Sequence, residues 1–304
     1  MHVSYHPDYE IPLPEGHAFP MRKYPLLHAR LLAEGLLAPD EVHVPAEAEW
    51  DAISLVHAPD YVEKLRSGTL TDVEQRRIGM PWSPALVRRA RLAVQGTIDA
   101  AIAALDGPIP IAANLAGGTH HALPDSGEGY CTLNDVAIAI RWLAREGYAR
   151  RFLVCDLDVH HGNGTAAIFA GESDVFTFSM HGEKNFPMRK PPSTLDVPLA
   201  DGIGDDEYLS ILGLHLPAIV SGFRPDLAFF LAGVDVVAGD RFGRLALTEE
   251  GLARRDRFTI QSIAGAGVPL CLVLAGGYAR SAERTAELHA HAHREARRWL
   301  ESGR

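Results

Sequence analysis

Short apolar runs alternate with longer amphipathic stretches through the middle and C-terminal parts of the chain. Continuous apolar runs of about four to eight residues are typical of parallel strands that are buried on both faces. We therefore predict strands at Ile109–Ala113, Phe152–Cys155, Val175–Phe178, Leu227–Leu231 and Leu270–Leu274.

The amphipathic stretches between these runs predict helices. Ser83 before Pro84, and Thr248 before two glutamates, are typical helix starts. The predicted helices are Pro84–Leu105, Leu133–Arg145, Asp206–Val220 and Thr248–Ala264. Alternating strands and helices favour an α/β fold, in which helices cover both faces of a mostly parallel central sheet. No internal repeat or Gly/Ser-rich linker divides the sequence, so we predict a single domain over residues 1–304.

Two other segments have distinctive patterns. Glu183–Thr194 contains three prolines and no apolar period, which predicts an ordered loop. Near the C-terminus, His289, His291 and His293 alternate within a stretch that otherwise reads as helical. A period of two scatters side chains around a helix axis, so we favour a solvated helix face there over a metal site.

Composition narrows the class of protein. Of 304 residues, 47% are hydrophobic and 22% charged, which excludes a disordered or collagen-like chain. The formal net charge of −10 disfavours binding to nucleic-acid phosphates. No secretory signal is evident, and no apolar run approaches the roughly 18 residues of a membrane span. We therefore expect a cytoplasmic protein in which Cys131, Cys155 and Cys271 are buried, reduced thiols.

Polar and glycine-rich clusters follow four of the predicted strands, at the point where each strand ends. These clusters are Asn114–His121, Asp156–Gly164, Ala232–Asp235 and Ala275–Tyr278. The carboxyl ends of parallel strands meet at one edge of a sheet, and ligands bind at that edge in open α/β folds. The four clusters therefore predict one binding site.

Asp156, Asp158 and His160 alternate along an extended segment, so their side chains project to the same side. A carboxylate and an imidazole two residues apart can hold one ion, and Asp235 can supply a third ligand. A histidine with two carboxylates suits catalytic Zn²⁺ and does not exclude Fe²⁺. The alternative is that these acids cap a helix or pair with arginines.

The adjacent His120 and His121 follow two glycines, and on such a loop both rings can face one cavity. Two histidines beside an activated water suit general acid and base catalysis. Each ring needs an acceptor on its other nitrogen, and Asp156 and Asn163 are candidates. A structural role is the alternative for an isolated pair.

Tyr278 follows Gly276 and Gly277, and its phenol can donate a hydrogen bond to a polarised carbonyl or a developing oxyanion. Tyr130 and Phe186 can wall a narrow apolar channel. Packing in a turn or in the core is the alternative for all three rings.

Together these motifs resemble the histone deacetylase family of the arginase–deacetylase superfamily. The matching segments run from His6 to Tyr278 in the family's order: GGTHHALPDSGEGYCTLNDVAIA, CDLDVHHGNG, LAGVDVVAGDRFGRL and LAGGYAR. The string GDRFGRLALTEEGLARRD and the asparagine of HHGNG are most similar to the class IV, bacterial-type branch.

The resemblance implies roles for individual residues. The implied catalytic positions are His120, His121, Asp156, Asn163 and Tyr278. The implied zinc ligands are Asp158, His160 and Asp235. The positions implied to bind an acyl-lysine chain are Gly129, Tyr130, Phe186 and Phe242. A structural K⁺ site is implied at Asp156, Asp158, His160, Ser179 and Met180.

The sequence departs from the class I pattern at two places. Asn163 stands where class I members have an aspartate behind the second histidine. The aspartate that clamps the substrate backbone at the rim of class I enzymes has no clear counterpart. We expect Arg76–Trp82 to be the rim loop, with Trp82 as a candidate substrate contact.

The predicted function is that of a zinc-dependent amidohydrolase that removes acetyl or longer acyl groups from lysine ε-amino groups in proteins or peptides. Its alternatives are a deacylase of small amines such as acetylpolyamines and a non-catalytic acyl-lysine reader. A two-metal ureohydrolase of the arginase type is disfavoured, because Asp235 is followed by Val236 and Val237 instead of a second ligand.

Overall fold

The computed structural model describes residues 1–302, and its centre is an eight-stranded sheet in which all paired strands run parallel. The strands are β1 (Val3–Ser4), β2 (Val42–His43), β3 (Ile111–Asn114), β4 (Phe152–Asp156), β5 (Val175–Gly182), β6 (Leu195–Leu199), β7 (Leu227–Leu231) and β8 (Leu270–Val273). Their order across the sheet is β2-β1-β3-β8-β7-β4-β5-β6.

Helices flank this sheet. They are α1 (Lys23–Ala33), α2 (Trp50–Ile53), α3 (Pro59–Ser67), α4 (Asp72–Ile78), α5 (Pro84–Asp106), α6 (Asp135–Glu146), α7 (Asn163–Ile168), α8 (Asp205–Phe223), α9 (Glu249–Ala264) and α10 (Ala282–Glu301). Helices α8, α9, α10 and α1 pack in a row, whereas α5 packs on α6 and on strands β3 and β8. The α/β architecture predicted from the sequence is confirmed.

The five predicted strands and four predicted helices are all present; β7 has the predicted bounds, and the other eight elements differ at one or both ends. Strands β3, β4, β7 and β8 are fully buried, as their continuous apolar runs predict. The Ser83 hydroxyl accepts a hydrogen bond from the Leu86 amide at 3.1 Å, and that of Thr248 accepts one from the Gly251 amide at 3.0 Å. These two side chains therefore cap α5 and α9.

The sequence analysis missed three strands at the margins of the sheet. Strands β1 and β2 have two residues each, which is too short to show a period. Strand β6 is at the opposite edge and contains Asp196 and Pro198, which are untypical of central strands. Its neighbour Glu183–Thr194 is free of helix and strand, which confirms the predicted loop.

The histidines of α10 correct one expectation. His289 and His293 are 1% and 2% exposed, so the predicted solvated face is wrong for these two residues. They are four residues apart and share a face of α10, which packs between α1 and α9. His291 lies elsewhere on the helix, with its Nε2 2.7 Å from Glu249 Oε1.

The three cysteines are buried and free, as predicted. Among residues 1–302, no helix combines the length and the low polarity that a bilayer crossing requires.

Candidate metal centre and active site

The polar clusters predicted to meet do meet at the carboxyl edge of the sheet. In the parallel register, Asp156 at the end of β4 pairs with Leu231 of β7, and Leu231 pairs with Val273 of β8. Val273 in turn pairs with Asn114 of β3. Because the four strands end at the same level, the segments that follow them lie side by side.

The side chains of Asp158, His160 and Asp235 form a compact buried group. His160 Nδ1 lies 3.0 Å from Asp158 Oδ1 and 3.2 Å from Asp235 Oδ2. Ligands about 2.0–2.1 Å from a tetrahedral zinc ion are about 3.3 Å from one another. Asp235 Oδ2 is buried and receives no hydrogen bond from the residues in the described range 1–302. An oxygen left unsatisfied beside two other ligand atoms fits a cation, so the donor set suits zinc.

The electrostatics of the group also fit a cation. Burial alone would lower the pKa of His160, but the adjacent carboxylates of Asp158 and Asp235 raise it to about 10. Burial and the adjacent Asp158 raise the pKa of Asp235 to about 6. The two carboxylates thus favour a positive charge between them, which is supplied by a proton or by a metal ion.

Glycine is required where the chain passes closest to this group. A Cβ atom on Gly276 would collide with the carboxylates of Asp235 and Asp158. The backbone amide of Gly276 instead donates a hydrogen bond to Asp158 Oδ2 at 2.6 Å. The amide of Val159 donates to Asp235 Oδ1 at 3.0 Å. Backbone donors therefore orient both carboxylates.

The adjacent histidines have different partners. His120 Nδ1 is 2.6 Å from Asp156 Oδ2, and His121 Nδ1 is 2.7 Å from Asn163 Oδ1. Burial disfavours the charged form of His120, but Asp156 outweighs it and raises the pKa of His120 to about 9. Burial, together with His120 and His160, holds the pKa of His121 well below its usual value. At neutral pH these shifts favour the charged form of His120 and the neutral form of His121.

Glu128, which sequence reasoning missed, defines the state of His121. Its Oε2 accepts a hydrogen bond from Asn163 Nδ2 at 2.8 Å, so the Asn163 carbonyl oxygen faces His121. His121 Nδ1 must then carry the hydrogen, which leaves Nε2 free to accept a proton. The signal available in the sequence was only that Glu128 follows the histidine motif closely, between two glycines.

A cavity of about 540 Å³ opens onto this edge. His121, His160 and Tyr278 contribute to its lining. The predicted substrate-binding residues that also line it are Gly129, Tyr130, Phe186 and Phe242. A Cβ on Gly129 would come 2.7 Å from His121 Cδ2 and 3.0 Å from Phe186 Cε1, so glycine keeps this wall close to the histidine. The structure thus brings all seven of these predicted residues together.

The Tyr278 side chain is fixed beside the cavity with a protonated hydroxyl. Its backbone amide donates to Asp240 Oδ2 at 2.7 Å, and its ring packs against Phe242 with 4.8 Å between centroids. Burial and the nearby Asp235 raise the pKa of the Tyr278 phenol well above its ordinary value. The phenol therefore keeps its proton.

The predicted rim loop, Arg76–Trp82, is only partly a loop, because α4 extends to Ile78. Arg76 and Arg77 do line the cavity, but they belong to the last turn of α4 and not to a loop. Trp82 lies away from the cavity lining: its indole Nε1 donates to the Leu65 carbonyl at 2.9 Å. Its contact with substrate stays a prediction, which the cavity lining does not support.

The residues implied for K⁺ lie at the end of β4, in the segment that follows it, and on the neighbouring strand β5. Ser179 of β5 pairs in register with Asp156 of β4, and Ser179 Oγ is 3.0 Å from His181 Nδ1. The K⁺ site stays a prediction. Sequence reasoning missed the cation that the chain itself supplies nearby: the buried Arg255 guanidinium donates to the carbonyls of Leu157 and Gly233 at 3.2 and 2.6 Å.

Comparison with known proteins identifies the family. Residues 17–293 match the histone deacetylase domain, so the chain belongs to the histone deacetylase family. This membership confirms the predicted resemblance and puts the chain among the deacetylases, which are hydrolases. Its class IV assignment stays a prediction.

Relatives cover the chain to different extents. An uncharacterized protein of Picosynechococcus sp. is 50% identical over 295 residues, which are 97% of this chain and 98% of that protein. Acetoin utilization protein AcuC of Staphylococcus aureus is 30% identical over 258 residues, 78% of this chain and 66% of AcuC. Histone deacetylase 3 of Oryza sativa subsp. japonica is 30% identical over 290 residues, 87% of this chain but only 55% of that protein.

A solved structure supports the fold independently. The crystal structure of the HDA15 HD domain matches with a TM-score of 0.80 and 23% sequence identity, covering 98% of this chain and 90% of that one. The predicted arginase/deacetylase-like fold is therefore confirmed.

Proposed function

We propose that this chain is a zinc-dependent lysine deacylase that hydrolyses the amide bond of Nε-acyl-lysine in proteins or peptides. One observation carries the proposal: His121, His160 and Tyr278 line one cavity. Directly behind them, Asp158 and Asp235 lie next to His160, and His120 lies next to His121. A reader of acyl-lysine would need the cavity but neither the oriented histidines nor the cation-binding group.

The mechanism follows from the states of the side chains. When bound to Asp158, His160 and Asp235, zinc would polarise the amide carbonyl and lower the pKa of a water molecule. His121 accepts the proton of the attacking water through Nε2, because its Nδ1 already donates to Asn163. The Tyr278 phenol donates a hydrogen bond to the carbonyl oxygen as negative charge develops there.

The leaving amine must be protonated, because an unprotonated alkylamine is a very poor leaving group. His121, after it has taken the water proton, is the nearest donor in this scheme. His120 supports the step as a fixed cation beside Asp156. It also lowers the pKa of His121, which makes the protonated His121 a stronger acid.

Deacylation of small acylated amines such as acetylpolyamines is the second candidate, since the same machinery would serve it. Iron(II) is an alternative to zinc for this ligand set. We also propose that residues 1–304 form a single, cytoplasmic catalytic domain without nucleic-acid binding, and that a K⁺ ion lies near Asp156, Asp158, His160, Ser179 and Met180.

The test is an assay of zinc-loaded protein on lysine peptides that carry acyl groups from acetyl to myristoyl, with N-acetylputrescine in parallel. We expect peptide hydrolysis that chelation abolishes and that Tyr278→Phe lowers about 10²- to 10³-fold. Turnover of the polyamine alone would favour the second candidate. Binding of the peptides without turnover of any substrate would contradict both.

A further inference from the structure

The charged residues at the mouth of the cavity are mostly cations. The cations are Arg76, Arg77, Lys184 and Arg244, all of them exposed, and the acid that lines the cavity with them is Glu128. This balance is opposite to that of the whole chain, whose formal net charge is −10. The mouth is therefore a positive patch on an acidic protein.

Neighbouring acids neutralise this patch only in part. Glu128 Oε1 lies 3.6 Å from Arg77 Nε, while its other oxygen accepts the hydrogen bond from Asn163. Asp201 lies outside the cavity lining, with its Oδ2 3.4 Å from Arg244 and 4.0 Å from Lys184.

Arg76 has no acidic partner within 4.0 Å in the part of the chain that the structure describes. Four cations therefore face two acids, one of which, Glu128, also serves the catalytic histidine through Asn163. The mouth retains positive charge for a ligand.

The depth of these cations defines which part of a substrate they meet. His121 and Tyr278 are 5% and 7% exposed and mark the deep end of the cavity. Arg76 and Lys184 are exposed at its opening. An acyl group held beside His121 would lie far from them, whereas groups near the other end of the lysine side chain would lie beside them.

Resting on the proposed deacylase function, we propose that this mouth selects acylated amines that carry carboxylates at the far end of the side chain, and that it disfavours acylated polyamines. Arginine pairs with carboxylates through two parallel hydrogen bonds. A positive mouth also attracts anionic substrates and repels cationic ones. The carboxylates come either from Asp and Glu beside the acylated lysine or from the α-carboxylate of free Nε-acetyl-lysine.

The experiment compares kcat/KM for three acetyl-lysine peptides of one length, with flanking Asp, Gln or Lys residues. Free Nε-acetyl-lysine, its carboxamide and N-acetylputrescine complete the series. One exposed ion pair is worth about two- to five-fold, so we expect the Asp peptide to exceed the Lys peptide about ten-fold at low salt. The ratio should fall towards about two in roughly 0.5 M salt, where the Debye length is a few ångströms.

Substitutions of the mouth arginines test whether the mouth causes the preference for the Asp peptide. Arg76→Gln and Arg244→Gln should each lower the Asp-to-Lys ratio by about two-fold or more, and Arg76→Glu should lower it further. The matched control is Arg150→Gln. Arg150 is also exposed, at 83%, but it precedes β4 and so lies at the amino ends of the strands, away from the cavity. The Gln-flanked peptide reports whether each variant keeps its basal activity.

The possible results distinguish failure of the selectivity from failure of the deacylase function. Equal rates on all three peptides, or an unchanged ratio in the Arg76 and Arg244 variants, would overturn the selectivity while leaving the deacylase function intact. Preference for N-acetylputrescine would also overturn it. No turnover of any acylated amine would overturn the proposed function itself. A preference for free Nε-acetyl-lysine over its carboxamide and over the peptides would support the selectivity and assign the carboxylate to a free amino acid.

Discussion

Two groups of histidines and acids lie close together in this protein, and the adjacent residues His160 and His161 belong to different ones. The first group is Asp158, His160 and Asp235, and the second is His161, His181 and Asp196. In each group, one nitrogen or oxygen atom per residue lies within 4.8 Å of the others. By residue type alone, both groups could hold a metal ion.

The groups differ in what surrounds them. In the second group, Asp196 Oδ2 accepts from the Ser193 amide at 2.8 Å, and its Oδ1 is 3.1 Å from His161 Nε2. His181 Nδ1 is 3.0 Å from Ser179 Oγ. The nitrogen of His161 that lacks a partner within residues 1–302 is Nδ1, not the one that faces Asp196.

In the first group, the unsatisfied atom is Asp235 Oδ2, which lies next to the other ligand atoms, and His160 faces the cavity. Ligand-type residues at suitable distances therefore do not by themselves make a metal site. An unsatisfied acceptor directed into the group and access from a cavity are the distinguishing features. The first group is therefore the proposed zinc site, and we expect a structural role for the second.

Substituting one aspartate in each group should give the largest effect, a difference in zinc content and in activity. Asp158→Asn removes a ligand charge and should lower zinc from about one per chain towards zero, with loss of at least about 10²-fold in activity. The matched change Asp196→Asn should leave both within about two-fold, because its partners are protein groups. Elemental analysis and the peptide assay measure the two effects. Equal loss of zinc in both variants would contradict the assignment.

The catalytic histidine offers the next largest effect. His121→Ala should lower kcat/KM by about 10²- to 10⁴-fold, the usual contribution of an acid–base group, while zinc content stays unchanged. His181→Ala removes a buried histidine of the second group and should leave kcat/KM nearly unchanged in folded protein. Full activity of His121→Ala would exclude it as the base.

Glu128 should have a smaller effect, because it acts through Asn163. In Glu128→Gln the amide of Asn163 is no longer oriented by a carboxylate, so we expect kcat for the Gln-flanked peptide to fall roughly three- to ten-fold. KM should not change. An aspartate at position 163 needs no orientation, so the double variant Glu128→Gln/Asn163→Asp should recover kcat. A double variant as slow as the single one would count against this role.

The smallest expected effect is on the free energy of unfolding in acid, to which His181 of the second group contributes. Burial and the neighbouring His161 lower the pKa of His181 to about 4. Between pH 6.5 and 4 the unfolded chain binds a proton at this position that the folded chain resists, so stability falls as pH falls. His57 and His293 add to this fall, because burial lowers the pKa of each to about 4 as well.

Urea unfolding at pH 6.5 and 4.5 measures that fall. In His181→Asn the fall should be smaller by roughly 1–2 kcal/mol, since one buried neutral histidine is gone. The same fall in the variant and the parent protein would show that the second group does not resist protonation.

Much of the fold and the candidate site could be predicted from local sequence. Buried parallel strands such as Phe152–Asp156 are continuous apolar runs, and a polar cluster after such a run must lie at the carboxyl edge. For this reason, the sequence alone places the ligand-type residues Asp158 and His160 together. Strands β1 and β2 could not be found, because two residues show no period.

Other features depend on contacts between distant parts of the chain. The burial of His289 and His293 follows from the packing of α10 between α1 and α9, which helix periodicity does not reveal. The orientation of Asn163 by Glu128 joins residues 35 positions apart. The positive mouth combines α4 with loops near residues 184 and 244.

The sequence by itself therefore determined the strands, the order of the motifs and the kinds of ligand available, because these depend on neighbours along the chain. Only the tertiary structure decided that His160 faces the cavity while His161 turns to Asp196. The same holds for the opposite pKa shifts of His120 and His121, which follow from Asp156 and burial. Hydrogen-bond partners and solvent exclusion come from residues far apart in sequence, and they convert a list of side chains into a site.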